Sequence, residues 1–454
     1  MSELNERARR IEVVSVGLLA AFLLLGLALA FWSVVGASAL AVREDNPRVV
    51  EAELRVRRGR ILDTNGVVLA ETIGPEEALQ RIYTLPDVGP AVGYYSFRHG
   101  TSGIEEGYDS VLRGDTSDVW QAFWQQNLHK AQNGRDVRLT LDLDRQRTAD
   151  SLMEGYNGAA LLMTLPDGAI RAMVSHPGYD PNTLDAQFDA LAEDEQAPLL
   201  NRVTQGRYQP GLTLQPLLLA AALDGSLLEL SDEVQDASAV VEVNGLRARC
   251  REAPPPQANW ADVLHAACPG PLSSLSEELP EDAFLDALER MGFFAAPELP
   301  LATAAPAEPE VEELPAALLG QDALTVTPLQ MALAWSSLGN SGILPEPHVV
   351  SAVQDESGSW TNLPNVPEDR QAFSGEAAWS VLSALPRHED LITEHAARVL
   401  SGPAGTTNSW YLGLAPAEAP RYAVVVVVEG TDRLQAAQQV GRSLLTMALN
   451  SQED

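Results

Sequence analysis

Groups able to begin covalent chemistry are scarce in this chain. Its 454 residues hold one lysine, Lys130, two cysteines, Cys250 and Cys268, and seven histidines. Pro210-Gly211 closes a loop ahead of an apolar helix, and Thr213 offers a hydroxyl near the start of that helix. No lysine or histidine lies within a turn of Thr213 to take its proton, so it lacks the base that an activated nucleophile needs. The histidines stand apart from one another, with no His-x-x-x-His pair, nucleophile elbow or carboxylate cluster around them. His176 and His265 read as packed or solvated side chains. No metal site and no cofactor is expected, and no Gly-rich phosphate loop occurs. Two cysteines rule out a disulfide scaffold and a four-thiolate site; one Cys250–Cys268 bridge or two buried thiols both stay open.

The elements that would position any chemistry form a mixed α/β pattern. Around Asp63-Thr64-Asn65-Gly66 two short apolar runs predict a hairpin with Asn-Gly at its turn. GAALLMTL and AIRAMVS flank Pro166-Asp167-Gly168, a second hairpin of buried strands. LTLQPLLLAAAL reads as a helix buried nearly all round, and YAVVVVV, Tyr422 to Val428, as a central strand followed by a helix over 432–449. Trp120 to Ala131 looks helical, a boundary falls near residue 135, and the Pro, Ala and Glu-rich stretch 295–315 reads as a linker or exposed loop. No internal repeat is visible.

A formal net charge of −33 excludes a nucleic-acid footprint, which needs clustered Lys and Arg to displace counterions. From Val13 to Val42 no residue is charged, and a spanning helix needs about 20 such residues. Ala37-Ser38-Ala39 resembles a signal-peptide cleavage site, but the apolar run exceeds the roughly 7–15 residues of a signal core, so the reading is an uncleaved anchor. Arginines are more numerous after the run than before it; long domains translocate regardless of that count, so it does not set the orientation.

The order of landmarks along nearly the whole chain resembles that of the class B penicillin-binding proteins. Arg58-Gly59, Ile61, Asp63, Asn65-Gly66 and Leu69-Ala70 are similar to the family's first-domain signature, with Thr64 where Arg is usual, and Gly103-Ile104-Glu105 and Leu112-Arg113-Gly114 to its second. Thr140, Asp142, Gln146, Pro177, Asp180, Pro181, Asn182, Asn201-Arg202 and Tyr208 match its entry to the transpeptidase domain, and Gly320-Gln321 with TVTPLQMA the segment before its last catalytic strand. The resemblance implies an α/β fold in four parts. They are a cytoplasmic N-terminus over 1–12, a transmembrane anchor over 13–42, a small mostly-β pedestal or dimerisation-like domain over 43–135, and a transpeptidase-like domain over 136–454. The last would have a central antiparallel sheet flanked by helices.

The family's chemistry is attack by a serine on a peptide carbonyl of the peptidoglycan stem, with a lysine one turn on taking its proton. At the Ser-x-x-Lys position this chain has Leu212 and Gln215, neither able to act as nucleophile or base at neutral pH. Thr213 is one residue off and turned about 100° away on an α-helix. The Ser-x-Asn motif falls on VLHAACP, making Ala267 and Pro269 the counterparts, and the Lys-Thr-Gly motif on Pro403, Ala404 and Gly405, with Thr406 and Thr407 left as polar contacts. Because Lys130 precedes the second domain, no other Ser–Lys pair can exist there.

The expectation is therefore a membrane-anchored, single-pass pseudo-transpeptidase of peptidoglycan synthesis. Its larger domains would be extracytoplasmic, and its anchor and pedestal would pair with a polytopic cell-wall glycosyltransferase of the shape, elongation, division and sporulation family. An active transpeptidase with unorthodox residues, and a muropeptide or wall sensor using the vacated groove, are the alternatives.

Overall fold

The computed structural model describes residues 2–31, 55–76, 78–115, 133–243, 245–304, 308–321, 323–364, 370–401 and 406–450. The helix expected over Trp120 to Ala131, Ala37-Ser38-Ala39, Lys130 and the stretch 403–405 lie outside these described residues. The chain divides into two compact units. The first comprises Met1–Arg57, Gly74–Leu79 and Asp118–Gln132 and contains the helix Ser2–Phe31. Its apolar side chains stand exposed from Val13 onward, Leu19 and Phe22 at 70%. The uncharged stretch 13–42 is described only as far as Phe31, and among the described residues no helix is long and apolar enough to cross a membrane.

The second unit holds the sheets. In chain order its strands are β1 (Ile61–Leu62), β2 (Val68–Ile73), β3 (Gln80–Tyr83), β4 (Tyr95–Ser96), β5 (Gly100–Thr101), β6 (Val137–Leu139), β7 (Gly158–Thr164) and β8 (Ile170–His176). They continue with β9 (Val241–Val243), β10 (Leu246–Ala248), β11 (Val350–Gln354), β12 (Trp360–Asn362), β13 (Arg387–His388), β14 (Ile392–Ser401), β15 (Thr406–Ala415) and β16 (Tyr422–Val428).

One six-stranded sheet runs β12-β11-β6-β1-β2-β3. Its β1–β2 hairpin turns where the sequence predicts. The Asp63 carboxylate accepts the backbone N–H groups of Asn65 and Val67 at 2.8 and 2.7 Å, an Asx-type turn, and Gly66 takes the left-handed φ of 85°. Strand β1 lies parallel to β6, so residue 135 sits between two neighbouring strands of one sheet. Behind β3, Glu105 is fully buried: Arg81 Nε donates to it at 2.6 Å, Arg58 Nε at 3.0 Å and the Tyr83 hydroxyl at 3.1 Å. Burial alone would raise the Glu105 pKa, but the two guanidinium groups outweigh it and hold the carboxyl below its usual range.

The second six-stranded sheet, β13-β14-β15-β16-β7-β8, is the core of the larger part. Its strands pair antiparallel, and β16 is buried at every residue on both faces, as its unbroken β-branched run requires. The helices Leu143–Met153 and Leu434–Asn450 cover one face; the helices Gln215–Asp224 and Pro328–Gly339 belong to the core on the other. Thr327 and Gln330 form a capping box that starts Pro328–Gly339.

Two expectations change. The helix read from Leu212 onward begins at Gln215, because Pro216 is tolerated only in a first turn; Gly211–Leu214 is a 3-10 turn instead. Of the two readings of the 295–315 stretch, its described residues form a loop anchored to the fold rather than a free linker. Leu301 is buried, Ala304 N–H donates to the Thr204 carbonyl at 2.8 Å, and the helix Leu314–Leu318 already begins within it.

Candidate functional site

The site lies where the 3-10 turn Gly211–Leu214 meets β14 and the loop that follows the helix Trp260–His265. Gly211 has a left-handed φ of 57°, and a Cβ there would collide with Val399 of β14. Gly320 closes in on the other side with φ 60°, and Gly211 N–H donates to its carbonyl at 2.9 Å. A side chain on Gly211 would push the turn off the strand, and one on Gly320 would run into the backbone of Gly211.

Leu212 is half-buried and packs on the main core. Thr213 is fully buried, and its hydroxyl donates to the Pro210 carbonyl at 2.5 Å. In a 3-10 turn of three residues it points about 120° from Leu212. Its proton is engaged with backbone, and it faces no base.

Gln215 is also fully buried; its Nε2 donates to the Cys268 carbonyl at 2.9 Å, and its Oε1 has no partner among the described residues. That bond brings together the two segments that the sequence reading assigns to the first two motifs. Ala267 is buried with a left-handed φ of 49°, and Pro269 opens the helix Pro269–Ser274. The bridge between Cys250 and Cys268 is formed, so the loop is tied to the chain that follows the β9–β10 hairpin. Arg251, next in sequence, gives its N–H to the Ala266 carbonyl and its Nη2 to the His265 carbonyl, both at 2.8 Å.

The third motif cannot be followed in the same way. The residues assigned from the sequence, Pro403, Ala404 and Gly405, lie outside the described residues. Thr406 is exposed, with its hydroxyl on the Ser401 carbonyl, and Thr407 is half-buried; they pair with Ser401 and Leu400 at the far end of β14. At about 3.4 Å per residue, that end is roughly 20 Å along the strand from His395.

What reaches Leu212 is His395. This residue is fully buried, and its Nε2 lies 3.0 Å from the Leu212 carbonyl while Nδ1 has no partner among the described residues. The carbonyl can only accept, so Nε2 carries the hydrogen and Nδ1 the lone pair. Burial lowers the His395 pKa to about 4, aided by the positive charge of Arg251 and opposed by the Leu212 carbonyl. One sequence signal pointed here: in a strand whose alternate residues Ala397 and Val399 belong to the main core, position 395 must face the same way.

This neutral ring gives a pH prediction. Below the ordinary histidine pKa of 6.5 the unfolded chain binds a proton that the folded chain refuses until about pH 4. Stability should therefore fall as pH drops through that window, by about 3 kcal/mol at its lower end for this one group. Urea unfolding of the wild type and His395→Gln at pH 7 and near pH 4 reads it; equal pH slopes would refute it.

The other histidines singled out lie elsewhere: His176 Nε2 is hydrogen-bonded to Asp150 at 2.6 Å, both half-buried, and His265 is exposed at a helix end. Among the described residues no cluster of His, Cys, Asp and Glu could hold a metal ion.

Residues 158–446 match the profile of the penicillin binding protein transpeptidase domain, and residues 58–137 that of the penicillin binding protein A dimerisation domain. The chain is 28% identical to peptidoglycan D,D-transpeptidase PbpA of Mycolicibacterium smegmatis, over 92% of this chain and 94% of that protein. To the PbpA of Mycobacterium tuberculosis it is 27% identical, over 99% and 100%. Among solved structures, an imipenem acyl-enzyme of penicillin-binding protein A from M. tuberculosis superposes with TM-score 0.79 at 22% identity, covering 87% of this chain and 99% of that one. A D,D-transpeptidase domain from Eggerthella lenta gives 0.75 at 25%, covering 88% and 99%.

Proposed function

Since the chain belongs to the penicillin-binding-protein transpeptidase family, as a class B member, we propose that it serves peptidoglycan synthesis as a pseudo-transpeptidase, a scaffold or regulator rather than a catalyst. The observation that carries this reading is Gln215. Where the family places a lysine base, this chain has an amide whose nitrogen is bound to the Cys268 carbonyl and cannot take a proton. Leu212 supplies no nucleophilic atom, and Thr213 spends its hydroxyl on Pro210. Losing the nucleophile alone costs a hydrolase about 10⁶ in turnover.

In this reading the uncharged stretch Val13 to Val42 serves as a single-pass membrane anchor, supported by the exposed apolar side chains among its described residues, Val13 to Phe31. The Cys250–Cys268 bridge supports an extracytoplasmic location for residues 43–454, since such bonds persist in oxidising compartments. The anchor and the pedestal region would then dock on a polytopic cell-wall glycosyltransferase.

Incubation with a fluorescent penicillin tests the central claim. We expect no covalent adduct on the purified, folded protein under conditions that fully label an active transpeptidase. A band that survives denaturation would show that the chain acylates after all. Purification from detergent-solubilised membranes should retain a polytopic partner, and its loss on removal of residues 1–42 would locate the contact.

A further inference from the structure

His395 is an odd residue for a core. Its ring has no solvent exposure, makes a single hydrogen bond to the Leu212 carbonyl, and leaves Nδ1 unpartnered among the described residues. A buried polar atom without a partner costs about 1–3 kcal/mol, so an apolar side chain would serve packing better. The ring also occupies a particular place. Val399, on the same face of β14, presses on Gly211, and four residues earlier His395 presses on the next residue of the turn, Leu212. An acyl carbonyl approaching position 212 needs open space within about 3 Å of it. Between β14 and the turn, the imidazole stands 3.0 Å from the Leu212 backbone carbonyl and bridges strand to turn beside that position.

We propose that His395 is a built-in plug that closes the groove between β14 and the Gly211–Leu214 turn, so that the site refuses peptides non-covalently as well as covalently. The inference rests on the reading of the site as non-catalytic and adds to it: a residue of the strand facing the turn also shuts the entrance. On either side the plug is held by parts of the fold that do not depend on a ligand. Glu394 is ion-paired to Arg442 of the helix Leu434–Asn450, fixing the strand, and the Gln215–Cys268 bond fixes the loop across from it.

The test uses the full-length protein in detergent and compares the wild type with His395→Gly and His395→Ala, each checked for folding by circular dichroism. The probe is an acylated D-alanyl-D-alanine peptide followed by calorimetric titration, with imidazole as competitor. The wild type should give flat titrations. The folded variants should bind the peptide at least about tenfold more tightly than the wild type's detection limit, and imidazole should reverse that binding by refilling the vacated space. If the glycine variant does not fold, the alanine variant decides the matter. Peptide binding by the wild type within about twofold of the variant, a folded variant that stays flat, or binding that imidazole does not touch would each overturn the plug. A fluorescent penicillin run in parallel separates the two claims. A covalent adduct on the wild type defeats the pseudo-transpeptidase reading, whereas wild-type peptide binding without an adduct defeats only the plug.

Discussion

Replacing Glu105 by alanine should cost the fold about 3–5 kcal/mol, because it leaves two buried guanidinium groups facing one another without their shared counter-charge. Glu105 has no solvent exposure, and the side chains of Arg58 and Arg81 are 2% and 4% exposed. Arg58 would keep Asp109 at 2.6 Å, but Arg81 would keep only the Gly59 carbonyl at 2.7 Å and a long contact to Thr72. The Tyr83 hydroxyl would lose its acceptor as well. Glu105→Gln should fare little better, since it preserves shape but not charge. The urea midpoint at pH 7 measures both. A loss below about 1 kcal/mol would mean that water reaches the arginines and that the pair is not the sealed triad its geometry describes.

Gly211→Ala is the second large effect, expected at about 2–5 kcal/mol. Holding alanine in the left-handed region costs about 1–2 kcal/mol, and overpacking a filled core typically costs about 1–3 more. Here the new methyl would meet the branched end of Val399. Adding Val399→Ala should recover the packing part and leave the conformational part, so the double variant should sit between Gly211→Ala and the wild type. Unfolding midpoints of the four proteins of this cycle resolve the two contributions. If the second substitution makes matters worse by its full single-variant cost, the contact between turn and strand is not where the loss arises.

Legibility in the sequence followed how local each feature is. The turns at Asp63–Gly66 and Pro166–Gly168, the buried strand Tyr422–Val428 and the last helix all carry their signal within a few residues, and each forms where it is read. The strand that faces the turn was not legible locally. The string around Pro403 to Gly405 looks like a motif by composition, but which residues of β14 face Gly211 and Leu212 is set by its register with β15 and by the closeness of two glycines more than a hundred residues apart. His395 looks solitary in sequence because every group it answers to, Leu212 and Arg251 above all, is remote along the chain. The 3-10 start of the helix was hidden by a neighbour: Pro216 reads as helix-compatible only once its position in the first turn is known.

Strand β6 is held between β1 on one side and β11 on the other, and its partner residues on β11 lie more than two hundred positions later. A chain delivered N-terminus first therefore carries β1, β2, β3 and β6 with one row of backbone groups unanswered until β11 is made. Loop closure over such a distance is slow, and an unpaired edge is open to the wrong neighbour. The early strands need shelter until Val350–Gln354 arrives, and a truncation before that point should yield an aggregating fragment rather than a smaller folded protein.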